Sequence, residues 1–198
     1  MIGLALDTSY LYASIVIIKS GELLYYANNS KPNKQAETIN VMVKEGLSSV
    51  GIEFQDLRYV AVAVGPGRFT GLKVGISVAN AIHFALKTPL LPISNFEAIA
   101  YSYKNKKIGI VLGAGVGKFY FQSFDCCKSI SDISIVIEDE VVLLREKYFL
   151  IGNVDIVDNQ VVLDARDIAN YADYKSKRTI NLTSSYIKPQ YIMNNYKN

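Results

Sequence analysis

The chain has 198 residues, half of them hydrophobic and a fifth charged, and 21 basic against 18 acidic side chains leave a formal net charge of +3. At about one domain per 150 residues this means one domain or two small lobes, with enough chain for a core that needs neither disulfide nor metal. A single histidine and two adjacent cysteines exclude Cys-rich and two-histidine zinc sites and restrict any His-dependent triad to His83, while so mild a charge does not by itself argue for nucleic acid.

In chain order, Ile2–Leu6 is a short apolar run that ends in Asp7-Thr8-Ser9. Tyr12–Ile18, a turn at Lys19-Ser20-Gly21-Glu22, and Leu23–Ala27 complete a three-stranded meander. After a polar stretch with Pro32 the period changes. Ala36, Ile39, Val43, Leu47 and Val50 follow three- and four-residue steps, which predicts an amphipathic helix from Lys34 to about Gly51. Tyr59–Val64 reads as a strand buried on both faces. It runs into Gly65-Pro66-Gly67-Arg68-Phe69-Thr70-Gly71, and a second helix is expected over Leu72–Leu86 with Thr70 as its N-cap. A third helix is expected over Asn95–Tyr103.

The pattern restarts at Lys107 with a hairpin, Ile108–Leu112 and Lys118–Phe124, around Gly113-Ala114-Gly115-Val116-Gly117. Ile133–Ile137, Val141–Leu144 and Tyr148–Ile151 are further short apolar runs, and Glu138-Asp139-Glu140 reads as a solvated turn. A short helix is expected over Ala165–Tyr174, followed by a polar tail over 181–198. The expected lobes are residues 1–103 and 104–198. Both begin with a strand and a hairpin, without a repeat by residue identity. The N-terminus lacks a basic leader, no run approaches the roughly 18 apolar residues of a membrane span, and the cysteines show no disulfide spacing. A reduced, cytoplasmic protein is expected.

Asp7, Thr8 and Ser9 close a buried strand, a place suited to a phosphate or its metal and equally to plain turn chemistry. The Gly65–Gly71 loop opens a helix, which favours anions. Yet it fits neither the nucleotide P-loop, where Lys would follow instead of Leu72, nor Gly-x-Gly-x-x-Gly, whose third glycine is Thr70 here. Gly71, Gly75 and Ala79 lie four residues apart on one helical face. Glycine inside a helix costs about 1 kcal/mol against alanine, so this ridge predicts close approach of another backbone, in this chain or in a second one. His83, with no acid near it in sequence, reads as a satisfied structural or interface histidine. Lys104, Lys106 and Lys107, and later Lys175, Lys177 and Arg178, are short basic clusters, solvated in the plain reading and RNA-facing in the sharper one.

The strand ending Asp7-Thr8-Ser9 and the run Gly65-Pro66-Gly67-Arg68-Phe69-Thr70-Gly71-Leu72-Lys73-Val74-Gly75 resemble the TsaB (YeaZ) family. That family's loop typically reads Gly-Pro-Gly-Ser-Phe-Thr-Gly-(Leu/Val)-Arg-(Ile/Val)-Gly, so Arg68 and Lys73 are departures. The resemblance covers most of residues 1–125. It implies an α/β, actin-like and Hsp70-like (ribonuclease H-like) fold of two small lobes, each a mixed sheet flanked by helices. It also implies a non-catalytic subunit of the complex that forms threonylcarbamoyladenosine at position 37 of tRNAs reading A-starting codons. In that picture the partner TsaD carries catalysis, ATP and magnesium are bound by partner subunits, and the ATPase TsaE joins the pair. The tRNA is met indirectly through the complex, and both a monomer and a homodimer are open for the chain alone. Partner contacts are expected from the first two helices, at Glu37, Ile39, Gly71, Gly75, Ala79, Ile82 and His83. Asp7–Ser9, Gly65–Thr70 and Lys73 are expected to face a nucleotide or the partner, and no catalytic or metal-binding residue is assigned. Gln35-Ala36-Glu37 stands where relatives often have His-Ser-Glu, and Gly113-Ala114-Gly115 where they often have Asp-Ala-Arg. The competing reading is an ATP- and magnesium-dependent enzyme of the actin and sugar-kinase superfamily, using Asp7 and the Gly65–Gly67 loop.

Overall fold

Ile2–Asp7 (β1) carries Leu4 and Leu6 on one face and Ala5 on the other, all fully buried, because the strand sits mid-sheet between two helical layers. Ser14–Lys19 (β2) and Glu22–Asn28 (β3) continue antiparallel, and Tyr59–Gly65 (β4) and Leu90–Ser94 (β5) add in parallel to give the order β3-β2-β1-β4-β5. The structure is a computed structural model and describes residues 1–178, 185–190 and 192; most of the expected polar tail lies outside the described residues.

Gln35–Ser49 (α1) and Phe69–Leu86 (α2) cover one face of this sheet, and their apolar stripes join Leu4, Leu6, Ile15 and Val62 in one core. The α2 helix begins three residues earlier than expected. Its N-cap is Arg68 and makes no side-chain capping bond, so Thr70 lies inside the first turn and is not the cap. By length and composition α2 is apolar enough to cross a membrane, which corrects the expectation that no run approaches such a span. In this fold it packs on β4, and Leu72, Ile76, Ala79 and Ile82 belong to the core.

Asn95–Ser102 (α3) leads into the second sheet. Lys107–Gly115 (β6) and Lys118–Asp125 (β7) pair antiparallel. Lys128–Ser129 (β8) and Ser134–Ile137 (β9) share the outer edge of β7, and Phe149–Gly152 (β10) and Asn159–Gln160 (β11) add in parallel beyond β6. The order β9-β7-β6-β10-β11 repeats that of the first sheet, with parallel and antiparallel neighbours in the same places. The two sheets therefore share a topology that residue identity does not show. The second is pared down: Glu138–Leu144 (α4) precedes β10, but the link from β10 to β11 holds no helix.

Val141–Leu144 is thus a helix and not a strand, and Glu138, Asp139 and Glu140 form its first turn. Four apolar residues fit either period. The three acids decide for a helix start, where carboxylates meet unpaired amides, and Glu140 closes back onto the Ile137 N–H at 2.9 Å.

Ala165–Arg178 (α5) crosses to the first sheet and packs on β1, β2 and β4, side by side with α3. The Ser14 hydroxyl accepts its first N–H (Ala165, 2.8 Å), and the Tyr26 hydroxyl donates to Asp164 at 3.0 Å. The central core therefore mixes both sheets with α3 and α5: Ala61, Phe96, Ile110, Phe124 and Ile168 are all buried in it.

Candidate functional site

Because β1 and β4 are parallel neighbours, their C-terminal ends lie side by side. This brings Asp7-Thr8-Ser9 against the Gly65–Gly71 loop, at the sheet edge where open α/β sheets bind ligands. The Thr8 hydroxyl donates to the Gly71 carbonyl at 2.7 Å and accepts the Gly75 N–H at 3.0 Å. Those are the two groups that a regular helix joins directly, residue i to residue i−4. A hydroxyl fits there only if the helix has no side chain on that face. A Cβ on Gly75 would lie 2.5 Å from Thr8 Oγ1, and one on Gly71 would collide with the Thr8 carbonyl oxygen.

The ridge of Gly71, Gly75 and Ala79 thus serves close approach within the chain. All three are buried, so the expectation that they meet a partner helix is corrected: their surface is used by Thr8 and the sheet. Ile39 is likewise fully buried beneath α1 and offers nothing outward. Ile82 and His83 are almost wholly covered. The His83 Nδ1–H donates to the Thr88 carbonyl at 2.9 Å, and its ring meets Tyr186 edge-on, as a satisfied histidine does. Glu37 is exposed and paired with Lys34 at 2.9 Å.

Ser9 locks the loop. Its carbonyl accepts the Arg68 N–H at 2.7 Å, and its N–H (2.9 Å) and hydroxyl (2.6 Å) both donate to Asp7 Oδ1. Burial pushes the Asp7 carboxyl up to about 7, against the two Ser9 donors, which favour the charged form, and with help from Asp164 and Asp167. Asn95, fully buried, ties both loops together: its amide donates to Ser9 Oγ at 3.0 Å and to the Pro66 carbonyl at 2.8 Å. Sequence reasoning missed Asn95, which reads there as an ordinary first residue of a helix. The peptide bond Gly65–Pro66 is cis.

A cleft of about 640 Å³ opens between the starts of α1 and α2 and the β6–β7 turn. Gly67, Arg68, Phe69 and Thr70 line it, while Asp7, Thr8 and Ser9 lie behind the wall. Across it stand Gly113, Ala114 and Gly115, and beside it Gln35 and Ala36, so the two departures from the family pattern share one cavity. Its lining holds Arg68 and no carboxylate. Gln35 is instead turned inward, its amide donating to the Tyr10 carbonyl at 2.5 Å. Arg68 donates to Asn33 Oδ1, and the Lys73 ammonium sits 3.9 Å over the half-exposed Phe69 ring.

A second concavity, of about 520 Å³, lies between α1 and α2 on their outer side, among Asn40, Lys44, Phe54, Val78 and Ala81. Val41, Phe84 and Leu86 are exposed at 52%, 66% and 42% on the same two helices. The α2 helix thus carries apolar residues on its outer side as well as on the face it turns to the sheet.

Residues 32–154 match the family model of TsaD, tRNA N6-adenosine threonylcarbamoyltransferase. A tRNA threonylcarbamoyladenosine biosynthesis protein TsaB from Buchnera aphidicola is 30% identical over 166 residues, 76% of this chain and 77% of that protein. The TsaB of Haemophilus influenzae is 30% identical over 60% of this chain and 51% of its own length. YeaZ from Pseudomonas aeruginosa superposes with a TM-score of 0.81 at 20% identity, over 96% of this chain and 99% of that one, and so shares the whole fold. With its two mixed sheets of one topology, its Gly65–Gly75 motif and these relatives, the chain belongs to the TsaB (YeaZ) family.

Proposed function

We propose that the chain serves threonylcarbamoyladenosine formation on tRNA as a non-catalytic subunit, binding the catalytic subunit TsaD through the outer face of α1 and α2, with TsaE joining the pair. The observation that carries this reading is the apolar groove around Val78 and Ala81, flanked by exposed Val41 and Phe84. Contiguous apolar surface on a soluble fold is the mark of a partner site. Of the residues first expected at that contact Glu37 stays exposed, and the buried ones are replaced by these outward-facing ones.

The donor set of the inter-lobe cleft supports a binding role. An ATP- and magnesium-dependent enzyme needs a carboxylate near the phosphates to hold the ion or orient the nucleophile. Asp7, the carboxylate that such an enzyme would use here, is buried with Ser9 as its partner and does not line the cleft.

The test is titration of the chain with TsaD, together with restoration of tRNA threonylcarbamoylation in an extract lacking this subunit. Ala81→Arg, at an exposed position, should leave the thermal midpoint within about 2 °C, since surface changes stay within about 0.5 kcal/mol. It should also weaken the complex at least tenfold. Unchanged affinity for TsaD would refute the assigned face. Tight ATP binding with hydrolysis by the isolated chain would favour the enzyme reading.

A further inference from the structure

The two basic clusters, some seventy residues apart in sequence, come together where α3 and α5 end side by side. Tyr101 and Tyr174 lie 4.9 Å apart between ring centroids, and Tyr171 joins them at 5.6 Å from Tyr101. Cations lie over these rings: Lys104 at 5.4 Å from Tyr101, and Arg178 at 4.6 Å from Tyr174. The series continues just before β6, with Lys106 5.9 Å from the Phe149 ring, while Lys107, over Tyr148 and opposite Asp125, lies on the other face of the second sheet. The result is a strip in which basic heads alternate with half-exposed aromatic faces.

Carboxylates neutralise part of it. Glu97 takes Lys175 at 3.8 Å, and Asp173 takes Lys177. Among the described ion pairs none involves Lys104, Lys106 or Arg178, and all three are exposed. Three exposed cations in one strip form a strong local field on a chain whose net charge is only +3.

We infer that this α3–α5 strip is a direct RNA-binding surface that holds the phosphate backbone and unstacked bases of the tRNA. Cations spaced along a groove track phosphates, and tyrosine faces stack bases without regard to sequence, which is how looped or single-stranded RNA is held. An acidic protein partner would use the cations but has no need of the rings. The strip includes neither α1 nor α2, so a partner bound on their outer face leaves it open. The inference rests on the reading that the chain serves a tRNA-modifying complex, and it replaces an indirect encounter with tRNA by a direct one.

The experiment is fluorescence anisotropy of a labelled, unmodified tRNA with adenosine at position 37, titrated with the full chain. With three phosphate contacts, the affinity should fall about 20-fold between 50 and 200 mM salt. Lys104→Glu with Lys106→Glu, both outside the helices, should weaken binding at least tenfold with an unchanged circular dichroism melt. Arg178→Glu, at the end of α5, should do the same from the other side of the strip. No binding at about 100 μM protein, where even non-specific complexes form, would overturn the inference. So would affinity unmoved by both variants, or equal affinity for duplex DNA. Threonylcarbamoylation in the depleted extract separates the two readings. If added chain fails to restore it while tRNA binding persists, the subunit role fails and the RNA surface stands. If it restores modification but binds no tRNA, the reverse holds.

Discussion

The contact between Thr8 and Gly75 is the tightest device in the site and can be tested in the isolated chain. Gly75→Ala gains about 1 kcal/mol of helix propensity. Its new Cβ, however, falls 2.5 Å from Thr8 Oγ1, against 3.4 Å or more for ordinary contact, so helix or hydroxyl must move by nearly 1 Å. Moving the hydroxyl breaks two hydrogen bonds worth about 1 kcal/mol each, and moving the helix costs about 1–3 kcal/mol of overpacking. After the propensity gain, the net loss expected is about 0–2 kcal/mol. Thr8→Ala alone should cost about 1–2 kcal/mol, because the Gly75 N–H can fall back on the Gly71 carbonyl. In the Thr8→Ala background the nearest atoms to the new Cβ are Val62 Cγ2 at 3.4 Å and Thr8 Cβ at 3.6 Å, both ordinary contacts. There Gly75→Ala should stabilise by about 1 kcal/mol, the propensity gain alone. Urea unfolding followed by circular dichroism, with equal slopes across the four proteins, reads the coupling. It should be about 1–3 kcal/mol. Effects that add within about 0.5 kcal/mol would refute the steric account.

Two further outcomes follow from the same corner of the sheet. Burial holds the Asp7 carboxyl at about 7 against 3.8 when exposed, so the folded chain binds more protons between those values and loses stability as pH rises through that window. At about 1.4 kcal/mol per unit the loss is at most about 4 kcal/mol. Asp7→Asn should flatten that fall and be the more stable protein at pH 8, and parallel pH profiles in urea unfolding would show that Asp7 is not its source. Asn95→Ala removes the tie between Ser9 and the Pro66 carbonyl and leaves both buried. It should cost about 1–3 kcal/mol, and a midpoint within experimental error of the parent would mean that the two loops hold each other without it.

Local chemistry was enough to recover most elements. Short apolar runs between turn residues marked β1 to β4, and three- and four-residue steps marked α1, because those patterns record which faces must leave water. Where a run was too short to carry a period, as at Val141–Leu144, the sequence could not choose between strand and helix. The helix appears only because three acids occupy its first turn and Val141 is buried beneath it. The motif around Gly65–Gly75 was legible as a family mark, and the comparisons bear the family out.

The sequence by itself determined that α2 must meet something at close range, since two glycines four residues apart cost helix stability and need compensation. Only the tertiary structure decided what it meets. The parallel pairing of β1 with β4 sets Thr8 into that groove, which turns the ridge inward and leaves Val78, Ala81 and Phe84 as the outward face. Likewise, the sequence determined two basic clusters, each too small to mean anything alone. Their union with Tyr101 and Tyr174 depends on α5 crossing back to pack beside α3. That contact joins residues far apart along the chain, and it is written in the burial of Ile168 and Ala172 against the first sheet, not in any local pattern.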